Sequence, residues 1–266
     1  MKFIWLPIKF SVIFALSSVI LISNQSFRGI KPAYSNNKNS QKIEFTLPPP
    51  PPGKPLAGRT RGGGRRGPCP DVEINLTALV PSTKKTLKLG NIEEVRENVW
   101  GLTNSLRPVF RFYVPFNNKH SFPTEFLLQD EESKKMVYQS VVKLPSEPGI
   151  ISVTLPETVK PLKENKNYRW FFNIYCEAQK PIPSLSVEGV VRRVKLSEEL
   201  TKKINTAQPR KQAELYAAEG IWFNALNTLA QLRQQQSENK QLAEDWQSLL
   251  ESIGMSDISE QPLVEE

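Results

Sequence analysis

The sequence predicts a mainly β protein: an antiparallel β-sandwich of the immunoglobulin or fibronectin kind, followed by a C-terminal α-helical hairpin of about three helices. Three observations predict it. Between residues 71 and 196, short runs rich in β-branched and aromatic residues recur between Pro, Gly and Asn clusters, with no helical period between them. One of them, residues 167–176, places Tyr168, Trp170, Phe172, Ile174 and Cys176 on one face, as a central strand with a core-facing side requires. From Ser197 onward the apolar spacing becomes helical.

Residues 1–35 read as a signal peptide. Lys2 and Lys9 flank a short n-region, and an uncharged apolar run over 10–22 has the length of a signal core rather than of a spanning helix. Small residues at Ala33 and Ser35 offer a cleavage site; the alternative is an uncleaved N-terminal anchor, which is the one membrane contact expected. Either way the chain is exported, to the periplasm or the extracellular space. The net charge of +8 is uneven: residues 36–70 carry +6 and residues 197–266 carry −6. A high overall pI is therefore no argument for a nucleic-acid-binding core, and no nucleic acid is expected as a partner.

Residues 36–70 form a Pro/Gly/Arg-rich arm that has too little apolar surface to fold alone and is expected to be disordered. Within it Arg59, Arg61, Arg65 and Arg66 are candidate anion-binding residues for a cell-surface polymer. The arm ends at Cys69, and the second cysteine of the chain is Cys176. In an oxidising compartment these two most simply form a disulfide; the alternative is two separate thiols. The bond would close a loop of roughly a hundred residues, on the order of 4–5 kcal/mol of loop-closure entropy.

Strands are expected over 109–114, 124–129, 135–142, 150–155, 167–176 and 187–195, with weaker ones over 76–80, 86–89 and 99–103. The polar Asp130–Lys134 run reads as a hairpin turn. Pro161-Leu162 followed by Tyr168 resembles a tyrosine corner, in which a tyrosine hydroxyl meets upstream backbone. In the tail, Ser197 is an N-cap before Glu198 and Glu199, Pro209 opens a helix that ends near Gly220, and Trp222, Ala225, Leu226, Leu229 and Leu232 share a stripe. A further helix carries Leu242, Trp246, Leu249 and Leu250 on one side. The Gly220, Trp222, Ala225 spacing is that of a tetratricopeptide turn, but one such unit cannot bury its own faces. The stripe must pack on the β-domain or on a partner, and Trp222, Phe223 and Trp246 are the candidate partner-binding residues.

No catalytic residue is assigned and no cofactor or metal is expected. His120 is the single histidine, in a polar loop, which excludes a histidine-rich transition-metal site. A Cys176–His120 dyad would require a free thiolate on a strand whose pattern buries or bridges it. The Asp130-Glu131-Glu132 turn reads as solvated. The Asn75-Leu76-Thr77 sequon has no meaning in a bacterial envelope. Carboxylate pairs of the glycosidase kind stay open, because their spacing is three-dimensional.

The run PPGKPLAGRTRGGGRRGPCP, the VFRFYVPF strand, FLLQDEESKKMVYQ, PGIISVTLP, NYRWFFNIYC, VEGVVRRV and the tail block GIWFNALNTLAQLR together resemble domain-of-unknown-function family 928. The resemblance spans most of residues 48–253. It implies a Gram-negative envelope and hence the periplasm, and it brings no activity, cofactor or catalytic residue. The expectation is then a non-catalytic envelope protein acting as a protein–protein interaction module with an envelope partner. The alternatives are a polyanion binder working through the arm and, third, a hydrolase.

Overall fold

The computed structural model describes residues 42–50, 56–62, 69–89 and 92–264. The signal segment 1–35, Arg65 and Arg66 lie outside the described residues. In chain order the described strands are β1 (Thr77–Ala78), β2 (Ser82–Leu89), β3 (Ile92–Thr103), β4 (Val109–Val114), β5 (Thr124–Asp130), β6 (Met136–Val141), β7 (Gly149–Thr154), β8 (Asn167–Ile174) and β9 (Leu185–Arg193). They form a three-stranded sheet, β1-β4-β7, and a six-stranded sheet, β2-β3-β9-β8-β5-β6.

The alternating pattern of β8 does what its sequence requires. Tyr168, Trp170, Phe172 and Ile174 are buried, and the strand pairs with β5 on one side and β9 on the other. Phe112 of β4 stacks on Phe172 at 4.4 Å and Phe110 meets Phe126 of β5 at 4.9 Å, so the two sheets share an aromatic core. The Tyr168 hydroxyl accepts the Lys163 N–H at 2.9 Å, the bond that the Pro-Leu-to-Tyr spacing predicts. The pairing is not antiparallel throughout: β3 runs parallel to β9 over Trp100–Thr103. Strands β2 and β3 also extend well beyond their apolar cores as a ribbon, in which charged residues such as Lys84 and Glu97 stand in register and composition hides the strand period.

The expectation of an unstructured arm is not met over 42–50 and 56–62, which lie against the folded domain. Upstream of their parallel pairing, β3 and β9 diverge, and residues 56–61 fill the gap. Gly58 N–H donates to Glu97 O at 2.9 Å and Val99 N–H to Leu56 O at 3.1 Å, while Arg59 and Glu188 exchange both backbone bonds. Then Ala78 N–H reaches Thr60 O and Gly62 N–H reaches Leu76 O, carrying the segment over to the small sheet. A Cβ on Gly58 would stand 2.5 Å from Glu188 O, so only glycine passes here. Earlier in the arm Ile43 is buried and Phe45 meets Trp222 edge-on at 4.8 Å. Each of these apolar residues finds a site on the folded domain. Burial and ladder bonds there offset the ordering entropy that the segment alone could not.

The tail holds five helices rather than about three: α1 (Glu198–Thr206), α2 (Pro209–Ala218), α3 (Trp222–Gln235), α4 (Lys240–Glu251) and the single turn α5 (Ser256–Ser259). Ser197 caps α1 by accepting the Leu200 N–H at 3.2 Å, and Pro209 opens α2. Gly220, at φ +71°, turns the chain between α2 and α3. Arg210 grips the fully buried Asp245 with two bonds of 2.6 and 2.8 Å, locking α2 to α4. The tail and the sheets share one core, which holds Trp222, Phe223, Leu226 and Leu229 beside Phe110 and Trp170.

Candidate functional site

The predicted site residues fall into three groups. Cys69 and Cys176 form a disulfide with their Cα atoms 5.3 Å apart, tying the end of the arm to the strand-end of β8. Of the four arginines, Arg59 lies in the strap between β9 and β3, and Arg61 is held by Asp257 of α5 through bonds of 2.6 and 2.8 Å. Arg61 therefore serves as a tie from arm to tail, and the two described arginines do not form an open anion cluster.

The third group is corrected. Trp222 and Trp246 are fully buried and Phe223 is 2 % exposed, so none of the three offers a surface to a partner. Trp222 Nε1 donates to Leu79 O at 2.8 Å and Phe223 meets Phe110 at 5.3 Å, while Arg233 lies over the Trp246 ring at 5.4 Å. The stripe packs on β3 and β4, where the two sheets alone do not close the core.

The remaining chemistry-bearing residues are engaged locally. His120 sits in a 3₁₀ turn beside Phe116 and Phe122, with Nδ1 at 3.1 Å from Asn117 Oδ1. Two carboxylates of the acidic turn, Asp130 and Glu131, are bound rather than solvated, and Glu132 is exposed. Asp130 pairs with Lys166 and accepts the N–H groups of Glu132 and Ser133, and Glu131 takes both Nε and Nη2 of Arg169 at 2.7 and 2.9 Å. Burial raises the Asp130 carboxyl, but bonds from Lys166 and Ser133 outweigh it and bring the value down to about 2. On the outer face of the large sheet, Glu125 accepts from Tyr175, Asn173 and Gln139 at 2.6, 3.1 and 3.1 Å. Burial and the Glu125 carboxylate push the Tyr175 phenol up to about 12, so it stays a donor at any physiological pH.

What stands open is an edge. Strand β6 ends the six-stranded sheet, and among the described residues no strand pairs with its outer side. Its sequence, MVYQSV, contains no charge, proline or glycine. Met136 is 53 % and Val141 85 % exposed. The Val142 N–H donates to Thr124 O of β5, so alternation turns the N–H groups of Val141 and Gln139 outward. Natural sheets usually guard such an edge with charge, proline or cover. Sequence reasoning found the strand but missed its exposure; the absence of charge was the available signal. Elsewhere, a cleft of 560 Å³ between the end of β9 and α1 is lined by Glu164, Arg193, Glu198 and Lys202, with charges of both signs.

Among the described residues no helix is long and apolar enough to cross a membrane, and no cluster of His, Cys, Asp and Glu is arranged to hold a metal ion. No curated protein and no solved structure matches the chain. The model of one family does match, over residues 61–263, from the strap through the last helix to the segment that pairs with β7. With that span covering both sheets and the tail, the chain belongs to the family described as Domain of Unknown Function (DUF928).

Proposed function

We propose that the protein is a non-catalytic, exported envelope protein, periplasmic or extracellular, that works as a protein–protein interaction module through the free edge of β6. The occupant is an extended segment of another envelope protein, added as a further strand of the large sheet. The observation that carries this reading is the uncharged edge itself, with outward N–H groups at Gln139 and Val141 and an 85 % exposed valine beside them. Main-chain bonds to such an edge give affinity and alternate side chains give selectivity. The disulfide supports the assignment to an oxidising compartment. In the same reading the two facing sheets are an immunoglobulin- or fibronectin-like sandwich, supported by the Tyr168 bond to Lys163.

The polyanion reading is less well supported, since Arg61 is neutralised by Asp257. A photoreactive residue at position 141 tests the proposal in living cells. The expected result is one discrete adduct whose mass exceeds the chain by that of an envelope protein, lost when Gln139 is replaced by proline. An adduct of twice the chain mass would make the occupant a second copy, and a chain that gives no adduct would end the proposal.

A further inference from the structure

A pocket of about 150 Å³ opens where the β3–β4 loop meets α2 and α3. Arg107, Tyr216, Asn224, Asn227 and Thr228 line it, and among the described lining residues there is no carboxylate and Arg107 is the single formal charge. The side-chain oxygens of the two asparagines are held by fixed donors. Asn224 Oδ1 accepts from Thr103 Oγ1 at 2.9 Å and from the Asn104 N–H at 3.0 Å, and Asn227 Oδ1 accepts from Arg111 Nη2 at 3.0 Å. A guanidinium and a backbone N–H can only donate, so both amides keep their oxygens there and have their NH₂ groups left to offer.

Arg111 adds charge behind Asn227. It is 4 % exposed, its Nε has no partner, and the neutral amide of Asn227 is the side chain it bonds. Burial lowers its pKa to about 10, which leaves it protonated at neutral pH. A buried cation bonded to a neutral group is costly unless an anion comes near. Arg107 is similarly placed: its Nε and Nη2 donate to the carbonyls of Val159 and Glu157, which fix the side chain without neutralising it. The first turn of α3, whose Phe223 and Asn224 line the pocket, has no side-chain cap and so contributes the positive end of a helix.

We propose that this pocket binds a compact oxyanion, a phosphate, sulfate or carboxylate group, between α2, α3 and the β3–β4 loop. The NH₂ groups of Asn224 and Asn227 and the hydroxyls of Tyr216 and Thr228 donate to it, and Arg107 and Arg111 supply the charge. At 150 Å³ the pocket admits such a group but not a sugar ring or a peptide, so the group is either a free ion or the end of a longer molecule. The inference is independent of the β6 edge.

Calorimetric titration of the full chain with inorganic phosphate, sulfate, acetate and a phosphate monoester, against chloride at matched ionic strength, tests it. Saturable binding of at least one oxyanion is expected; preference for the monoester over phosphate identifies an end group, and the reverse a free ion. Asn227→Asp places a carboxylate on Arg111, and should raise the thermal midpoint while weakening the oxyanion by about tenfold or more. Tyr216→Phe removes one donor without removing the ring, and should weaken binding by roughly five- to tenfold with the fold intact. No saturable binding of any of the four anions, or Asn227→Asp and Tyr216→Phe proteins that bind as the parent does, would overturn the proposal.

Discussion

Strands β2 and β6 end the same six-stranded sheet, yet they meet solvent with opposite chemistry. β2, STKKTLKL, carries three lysines, and Lys84 and Lys85 are exposed. A strand added there would have to bury or displace those ammonium groups, which is how natural sheets discourage edge pairing. β6 carries no charge and exposes Val141 and Met136. Other margins are closed by the chain itself: residues 56–61 fill the fork between β3 and β9, and Pro262 and Val264 bond to Ile150 along β7. Among the described strands this leaves β6 as the exception, and the contrast supports the proposal that β6 is the partner site.

The contrast depends on a frame that holds without the partner. Removing the disulfide with Cys69→Ser and Cys176→Ser should therefore have the largest effect on stability. The bond spans a separation of 107 residues, and its loss is expected to cost about 4–5 kcal/mol in urea unfolding. Next comes Trp222→Ala, which empties a core site and orphans the Leu79 carbonyl. It should cost about 3–5 kcal/mol, also by urea unfolding, where a partner-facing tryptophan would cost almost nothing. Either variant, if as stable as the parent, breaks the frame on which the comparison stands.

A smaller effect sharpens it at the β5–β6 turn. The Asp130 carboxyl falls from an ordinary 3.8 to about 2 in the folded chain. A depressed carboxyl adds stability that is complete above the unfolded value near pH 4 and is lost as pH falls through about 2. Unfolding followed between pH 5 and 2 should show this loss in the parent and its absence in Asp130→Asn, which is the less stable protein at pH 7. The smallest effect on stability is expected for Val141→Lys, within about 0.5 kcal/mol because the side chain is exposed, although it should abolish the adduct that a photoreactive residue moved to position 139 forms in cells. Thr86→Val on β2, another exposed edge position, should leave the adduct unchanged.

Much of this architecture was legible in the sequence because it is periodic. The alternation in residues 167–176 predicted both the core face of β8 and its central position, and the two-cysteine count predicted the disulfide. Capping chemistry marked Ser197, Pro209 and Gly220. What the sequence hid depends on contacts distant along the chain. The strap over 56–61 has almost no apolar residues of its own and is ordered by backbone bonds to Glu97 and Glu188, which no local pattern announces. Trp222, Phe223 and Trp246 could pack on the β-domain or on a partner, and the choice is made by contacts with β3 and β4 that no local pattern shows. The pocket beside Asn224 and Asn227 was hidden for a similar reason: its lining comes from the β3–β4 loop, α2 and α3, which only the fold brings together.

On the proposed function β6, and not β2, receives the partner strand. Hydrogen exchange on the chain alone and on the same chain in its cross-linked envelope complex tests this most directly. The amides of Gln139 and Val141 are expected to exchange fast in the free protein and to become protected in the complex, with β2 unchanged. Unchanged exchange at both amides in a complex that protects β2 or the 560 Å³ cleft instead would contradict it.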